Sequence, residues 1–435
     1  MSFFPSNTFA GKRFAVVGLG RNGLPVARAL IAMGAEVLAW DDSELSRAVT
    51  DVVIGDPSLS DKEFDALILS PGIPHRLPQP HRLAIWASDK KIPILSDAEL
   101  LYQAVRATGS RARFVGITGT NGKSTTTALL AHIATLAKIP NAAGGNLGTP
   151  ALALPLLGNN GIYILEMSSY MLERLATLRF DAAAMLNLSL DHLDRHGDMA
   201  GYARAKRAVF DRQRAGDLAV IGVDDPASAA MADEPRAART EKISGLDDIA
   251  TTSALPGAHN AQNIAAATAM ALYFSVDRAT IEQSVRSFAG LAHRQQNVGN
   301  IEGIDFINDS KATNADATAR ALACYDRIVW IAGGVAKSGG IEPLAEYLPR
   351  IVHAELIGQD SSVLQATLAA HGVSHRIAGT LENAVPAALA AARGSGTKIV
   401  LLSPACASFD QFSGFDQRGD CFAALVATLA QGEAA

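Results

Sequence analysis

The chain alternates between short apolar runs, many β-branched, and longer stretches with helical spacing. Eight runs read as strands: FAVVGLG (14–20), ALILSPG (66–72), FVGITGT (114–120), YILEMSS (163–169), AAMLNLS (183–189), IDFINDS (304–310), RIVWIAGG (327–334) and KIVLLSP (398–404). Their apolar residues are close to continuous, which predicts strands covered on both faces and therefore mainly parallel sheets in an α/β fold. Several end in Gly, Ser or Asn just where a polar loop begins. In such sheets ligands bind beyond the carboxyl ends of the strands, so these loops are where chemistry is expected. The pattern breaks near 96–113 and near 288–303. The breaks give three α/β parts, 1–98, 99–290 and 291–435, in keeping with a length of 435 residues.

Composition narrows the class without changing this picture. Hydrophobic residues make up 49% and charged residues 19%, and 38 Lys and Arg face 43 Asp and Glu. That small acidic excess argues against nucleic acid or an anionic membrane as the main partner. The longest nearly apolar stretch, 264–274, is too short to span a bilayer and reads as a buried, alanine-rich helix. No signal peptide is visible at the N-terminus. Three cysteines, Cys324, Cys406 and Cys421, form no CxxC and are an odd count, so a reducing, cytoplasmic setting is expected.

The segment FVGITGTNGKSTTTALLAHIA (114–134) reads as strand, Gly-rich turn and helix. Backbone amides of such a turn cradle phosphate oxygens at a helix N-terminus. Lys123 would reach the terminal phosphates of ATP, and the Ser124 hydroxyl would hold Mg²⁺. The strict pattern wants Gly where Ile117 stands, so the loop is a variant built on Gly119 and Gly122. The bland alternative is a surface Gly-Lys turn, which the strand and helix on either side disfavour.

A second glycine pattern, Gly18, Gly20 and Gly23, follows the first strand, and Asp41 and Asp42 close the next one. Taken alone it fits a nicotinamide-dependent dehydrogenase, or only a tight strand–helix packing turn. The context favours pyrophosphate binding, with the Ser70-Pro71-Gly72 strand end in reach of the same crevice. Glu166 ends a strand one crossover after the phosphate loop, placed either to serve Mg²⁺ or as a solvated loop acid. Asp191-His192-Leu193-Asp194 suits metal ligation or proton relay, or simply a capped helix start. Lys206, in YARAKRAVFDRQR, reads on its own as part of a solvated helix face. NDSKATN (308–314), the turn before Lys337, and SPACASFDQF (403–412) are polar strand ends that could form a second anion site, or be capping and turn chemistry.

Taken in order, GLGRNG, SPGI, TGTNGKST, GGNLG, EMSS, DHLDRH, YARAK, HNAQN, the pair His293-Arg294, NDSKATN, AGGVAKSGG and SPACASFDQF resemble the Mur ligases, the amide-forming enzymes of peptidoglycan precursor synthesis. The resemblance covers nearly the full length. NDSKATN and SPACASFDQF are similar to the branch that adds D-glutamate. It implies a Rossmann-like UDP-binding domain, a central P-loop ATPase-like domain and a Rossmann-like C-terminal domain. It implies a cytoplasmic monomer acting on UDP-N-acetylmuramoyl-L-alanine, D-glutamate and ATP with two Mg²⁺ ions.

By the same resemblance, Gly18, Gly20, Arg21, Asn22, Gly23, Asp41, Asp42, Ser70, Gly72 and Asn146 would bind the UDP substrate. Gly119, Thr120, Asn121, Gly122, Lys123, Ser124, Thr125, Asn263, Arg294 and Asp309 would bind ATP, and His293 also resembles an ATP-contacting residue. Ser124 and Glu166 would serve one metal ion, and His192 with a carbamylated Lys206 the second. Lys311, Thr313, Lys337, Ser408, Phe409 and Phe415 would form the D-glutamate pocket. Met171 stands where the family commonly has Gln, and Gln295-Gln296 where an apolar residue and Glu are usual. A sibling ligase for another amino acid, a dehydrogenase and a non-catalytic nucleotide sensor are the competing readings.

Overall fold

The computed structural model describes residues 3–48, 51–146, 148–247, 249–252, 254–337 and 339–432. Three sheets account for its strands. The first holds β1 (Arg13–Val17), β2 (Glu36–Trp40), β3 (Ala66–Leu69) and β4 (Ile94–Leu95), in the order β2-β1-β3-β4. The second holds β5 (Arg113–Thr118), β6 (Asn141–Gly145), β7 (Ile162–Glu166), β8 (Ala182–Met185), β9 (Leu218–Gly222) and β10 (Arg239–Ile243), in the order β10-β9-β8-β5-β7-β6. Every pairing in both sheets is parallel.

The third sheet holds β11 (Gln296–Ile301), β12 (Ile304–Asn308), β13 (Ile328–Gly333), β14 (Ile351–Ile357), β15 (His375–Gly379) and β16 (Ile399–Leu402), in the order β11-β12-β16-β13-β14-β15. Only the edge pair β11–β12 is antiparallel. Its two-residue turn, Glu302-Gly303, has φ of 53° and 79°. Those positive values match the twist of a tight hairpin, and Gly takes the second at no steric cost. The eight apolar runs are all strands. The region 288–303, expected as a break, contains β11, whose polar sequence QNVGNI suits a half-solvated edge and hides it from an apolar-run reading.

Central strands are buried along their whole length, as β7, β8 and β9 show, whereas β10 (RTEKI) is a polar edge. The stretch 264–274 falls largely within the helix Ala258–Tyr273. No helix among the described residues is long and apolar enough to cross a membrane.

The chain divides into two compact units, 1–249 with 261–287, and 250–260 with 288–435. The first two sheets thus share one unit. One apolar cluster runs from Val16, Val26 and Leu30 to Phe114, Tyr163 and Phe180. Two buried charges tie the same layers. Glu99, on the helix Asp97–Ala107, accepts the backbone N–H of Ala176, Thr177 and Leu178 at 2.9–3.0 Å. Arg174 donates to the carbonyls of Leu69 and Ile73 at 2.8 and 2.7 Å. Neither residue shows in a hydrophobic pattern.

Candidate active site

In the first sheet β1 pairs with β2 and β3 so that Val17 lies level with Trp40 and with Leu69. That register brings Gly18, Asp41 and Ser70, each the next residue, to one end of the sheet, where the strand order reverses. They border a cleft of about 490 Å³ lined by Gly18, Gly20, Arg21, Asn22, Asp41, Asp42, Ser70, Gly72 and Asn146, among others. Nine of the ten residues expected for the UDP substrate therefore share one cleft. Gly23 sits just beneath it, at the start of the helix Gly23–Ala32. A Cβ on Gly23 would stand 1.7 Å from the Gly18 carbonyl oxygen, so only glycine fits.

The two acids do different work. Asp41 accepts the N–H of Leu19 at 2.6 Å and of Ser43 at 2.8 Å, closing the loop on itself. Asp42 accepts Trp40 Nε1–H at 3.0 Å and lies 2.9 Å from His81 Nε2. His81 Nδ1 accepts the Leu83 N–H, so the Nε2 proton points at Asp42. The hydrogen bonds from Trp40 and His81 hold the Asp42 carboxyl below the usual carboxylate range. An ionised acceptor therefore faces the cleft.

In the second sheet Ile117 pairs with Glu166, Gly145 with Glu166, and Thr118 with Met185. The strand ends are level, which collects Gly119, Glu166, Asn146 and Asn187. Gly119 (φ 148°) and Gly122 (φ 86°) shape the loop, and Gly122 caps the helix Lys123–Leu136. A Cβ on Gly122 would meet Asn263 Oδ1 at 2.3 Å, which puts Asn263 against the loop. Asn187 tethers the loop: its carbonyl accepts the Thr120 N–H, and its side-chain oxygen the Asn121 N–H, each at 2.9 Å. Asn187 is not among the expected site residues, and its place at a polar strand end is the one sequence signal that marks it. Ser124 and Thr125 are buried at the first turn.

Two lysines meet at one carbonyl. Lys123 Nζ donates to Gly119 O at 2.9 Å and Thr120 O at 2.7 Å. Lys206 Nζ donates to the same Gly119 O at 2.7 Å and lies over the Tyr202 ring at 4.7 Å. Lys206 is 2% exposed, so the solvated-face reading of its helix is overturned. Burial, then the charge of Lys123, pushes its ammonium well below the ordinary lysine value. The helical spacing of Tyr202 and Lys206 turns both inward, which a basic composition concealed.

Glu166 is 3% exposed and accepts Asn146 Nδ2 at 2.9 Å. His192, in a left-handed conformation (φ 53°), precedes the helix Leu193–His196 without capping it, and its ring meets Tyr170 at 5.3 Å. Buried His196, absent from the expected site, stacks on Tyr170 at 5.6 Å and contacts Ser169 Oγ at 2.9 Å. Met171 is packed into the apolar core.

Arg294 and Asp309 belong to the second unit, whereas the phosphate loop and Asn263 belong to the first. Asp309 is 7% exposed and is held by the Gln295 N–H at 3.2 Å and Ser403 Oγ at 2.7 Å. Burial pushes its carboxyl up to about 7. A raised folded value means the contribution to stability is full below the unfolded value, about 3.9, and is lost as pH rises. Asp309→Asn is expected to flatten the fall in stability between pH 4 and the folded value of about 7, read by denaturant titration across that window.

Lys311 Nζ lies 3.8 Å from the Phe415 ring centroid, and Ser310 Oγ donates to Phe415 O at 2.7 Å. Thr313 is half-buried beside them in sequence, Ser408 is buried, and Phe409 and Lys337 are exposed. Arg418, which no motif marked, is fully buried and donates to Ser310 O at 2.9 Å, Cys406 O at 3.2 Å and Gly333 O at 3.4 Å. It ties three strand-end loops together.

Residues 117–248 match the Mur ligase middle domain, and residues 293–406 match the Mur ligase, glutamate ligase domain. The UDP-N-acetylmuramoylalanine–D-glutamate ligase of Paramagnetospirillum magneticum is 48% identical, over 98% of each chain. The protein of the same name from Caulobacter vibrioides is 44% identical, also over 98% of each. Among solved structures, UDP-N-acetylmuramate-alanine ligase MurC from Thermotoga maritima superposes with a TM-score of 0.60 at 17% identity, covering 97% of this chain and 99% of that one. MurF from Acinetobacter baumannii gives 0.59 at 16% identity, covering 99% and 93%. Those two likenesses concern the fold, and the sequence relatives carry the family: the chain belongs to the Mur ligases.

Proposed function

We infer that the chain is an ATP-dependent ligase joining D-glutamate to UDP-N-acetylmuramoyl-L-alanine, with release of ADP and phosphate, in cytoplasmic peptidoglycan precursor synthesis. The observation that carries this is 48% identity to a D-glutamate ligase over 98% of both chains. The reading takes the chain as a monomer with parts at 1–98, 99–290 and 291–435.

The cleft beside Gly18, Asp42, Ser70 and Asn146 would hold the UDP moiety. The loop Gly119–Thr125, with Asn263, would hold ATP. Lys311, Thr313, Lys337, Ser408, Phe409 and Phe415 would hold D-glutamate. Mur ligases use ATP with Mg²⁺. Among the described residues no cluster of three or more His, Cys, Asp or Glu could hold a metal. That fits Mg²⁺, which takes one or two protein oxygens and completes its shell with phosphates and water. Ser124 and Glu166 would supply those oxygens. His192 and Lys206 would serve a second ion. Unmodified Lys206 is a poor metal ligand, but burial disfavours its ammonium form, which suits carbamylation: Nζ adds to CO₂, loses a proton and becomes a carboxylate-like group. Bound Mg²⁺ supplies charge neutralisation at the transferring phosphoryl group.

The substrate carboxylate attacks the γ-phosphorus, and the bond to ADP breaks, leaving an acyl phosphate. Lys123 stabilises the charge on the moving phosphoryl group. The D-glutamate amine then attacks the acyl carbon, phosphate leaves, and one proton is released. Gly23→Ala forces the Gly18 carbonyl out of the cleft wall and is expected to cost roughly a hundredfold in kcat/KM for the nucleotide substrate, checked by steady-state kinetics. Phosphate release from ATP and the UDP-muramoyl-alanine nucleotide, assayed across a panel of amino acids, tests the function. Release should depend on D-glutamate. A rate that ignores the amino acid, or prefers another one, sinks the reading.

A further inference from the structure

Beneath the nucleotide cleft lies a buried cation contributed by the second sheet's side. Arg174 follows the short helix Ser169–Leu172 and is 3% exposed. It donates to Leu69 O at 2.8 Å and Ile73 O at 2.7 Å, and reaches His75 Nδ1 at 3.4 Å. Burial draws its pKa down to about 10, so it stays protonated at neutral pH. Burial also draws His75 down to about 4, so that ring is a neutral acceptor. Among the described residues Arg174 forms no close ion pair; its neighbour Glu173 lies 3.7 Å from His196 and acts on Arg174 only through space. All three partners of the guanidinium are neutral.

The carbonyls it holds bracket the turn Ser70-Pro71-Gly72, one wall of the cleft. Ser70 Oγ passes the connection on, donating to Gly18 O at 2.8 Å. Arg195 reinforces the same wall, donating to Gly72 O at 3.0 Å. Arg174 also shares a small cavity of about 20 Å³ with Asp97, Asn22 and Gly23, the last two at the N-terminus of the helix that opens on the cleft. The guanidinium's hydrogen-bond partners are all neutral, Glu173 acts on it only through space, and burying such a charge is costly, so an anion that arrives with the ligand would add to its compensation.

We propose that Arg174 is a positioning residue for the nucleotide substrate: it fixes the Ser70–Ile73 wall and sets a permanent positive charge under the cleft, complementary to a nucleoside diphosphate. This rests on the reading of the cleft as the UDP site. The test compares Arg174→Met and Arg174→Lys with the unaltered enzyme, using kinetics and calorimetric titration of UDP. R174M is expected to raise KM for the nucleotide substrate and the Kd for UDP by about tenfold or more, the loss of one charge-assisted contact. KM for ATP and kcat should move by no more than about threefold, and R174K should fall between R174M and the unaltered enzyme. Unchanged UDP affinity in R174M, an equal fall in kcat with no change in KM, or R174K no better than R174M overturns the proposal. Where R174M does not fold, R174K decides: UDP affinity equal to the unaltered enzyme overturns it. If the unaltered enzyme binds UDP yet makes no product, the functional reading fails and the UDP titrations still judge Arg174.

Discussion

Lys123→Ala is expected to lower kcat for ligation by roughly a thousandfold, with both substrates still bound. The magnitude follows from where the charge sits. Lys123 Nζ is held 2.9 Å from Gly119 O and 2.7 Å from Thr120 O, on the loop that would wrap the phosphates. Held there by the loop's own carbonyls, it would have a short way to move as negative charge develops on the phosphoryl oxygens. Removal takes away an interaction that strengthens in the transition state, which lowers kcat more than it raises KM. Single-turnover phosphate release on Lys123→Ala checks this. Undiminished turnover would separate the loop from the chemistry.

Lys206→Met is expected to lower kcat by about a hundredfold or more and, at neutral pH, to raise the thermal midpoint. The two effects have one cause. Lys206 is buried beside Lys123, so its charged form is disfavoured in the folded chain. With a depressed folded value, its contribution to stability is full above the unfolded lysine value, about 10.4, and is lost as pH falls toward the folded one. An apolar side chain of similar length removes that penalty and the pH slope with it. The catalytic loss follows if the amine, carbamylated, serves a metal ion. Calorimetric melting between pH 6 and pH 10 reads the first effect, and ¹³C-bicarbonate NMR of the unaltered enzyme reads the carbamate. A lower midpoint in Lys206→Met would contradict a net penalty for burying the lysine.

The centres of the sheets are legible because their inner strands are nearly all apolar, and the polar residues that end them stand out against that background. Gly18, Asp41 and Ser70 could each be picked from sequence. That they lie level at one cleft depends on register between β1, β2 and β3, which apolar runs do not encode. The edge strand β11 was lost to its polar composition. On composition alone Lys206 reads as solvated because its helix is rich in Lys and Arg, and only packing reveals which cation faces inward. Arg174, Glu99 and Arg418 escaped for the same reason: each is a buried charge satisfied by backbone atoms far away in sequence, and backbone acceptors leave no mark on residue identity. The dehydrogenase reading drew on the Gly18–Gly23 turn alone. Such a turn permits close backbone approach to a ligand and does not say which ligand is bound.

The most direct test of the ligase reading is mass spectrometry of the products formed from ATP, D- or L-glutamate, and UDP-N-acetylmuramoyl-L-alanine labelled with ¹⁸O in its carboxylate. Attack of that carboxylate on the γ-phosphorus carries one labelled oxygen into the released phosphate. The expected result is a UDP-linked amide with D-glutamate, together with ADP and phosphate bearing one ¹⁸O. No amide, equal amounts with L-glutamate, or phosphate free of label would contradict it.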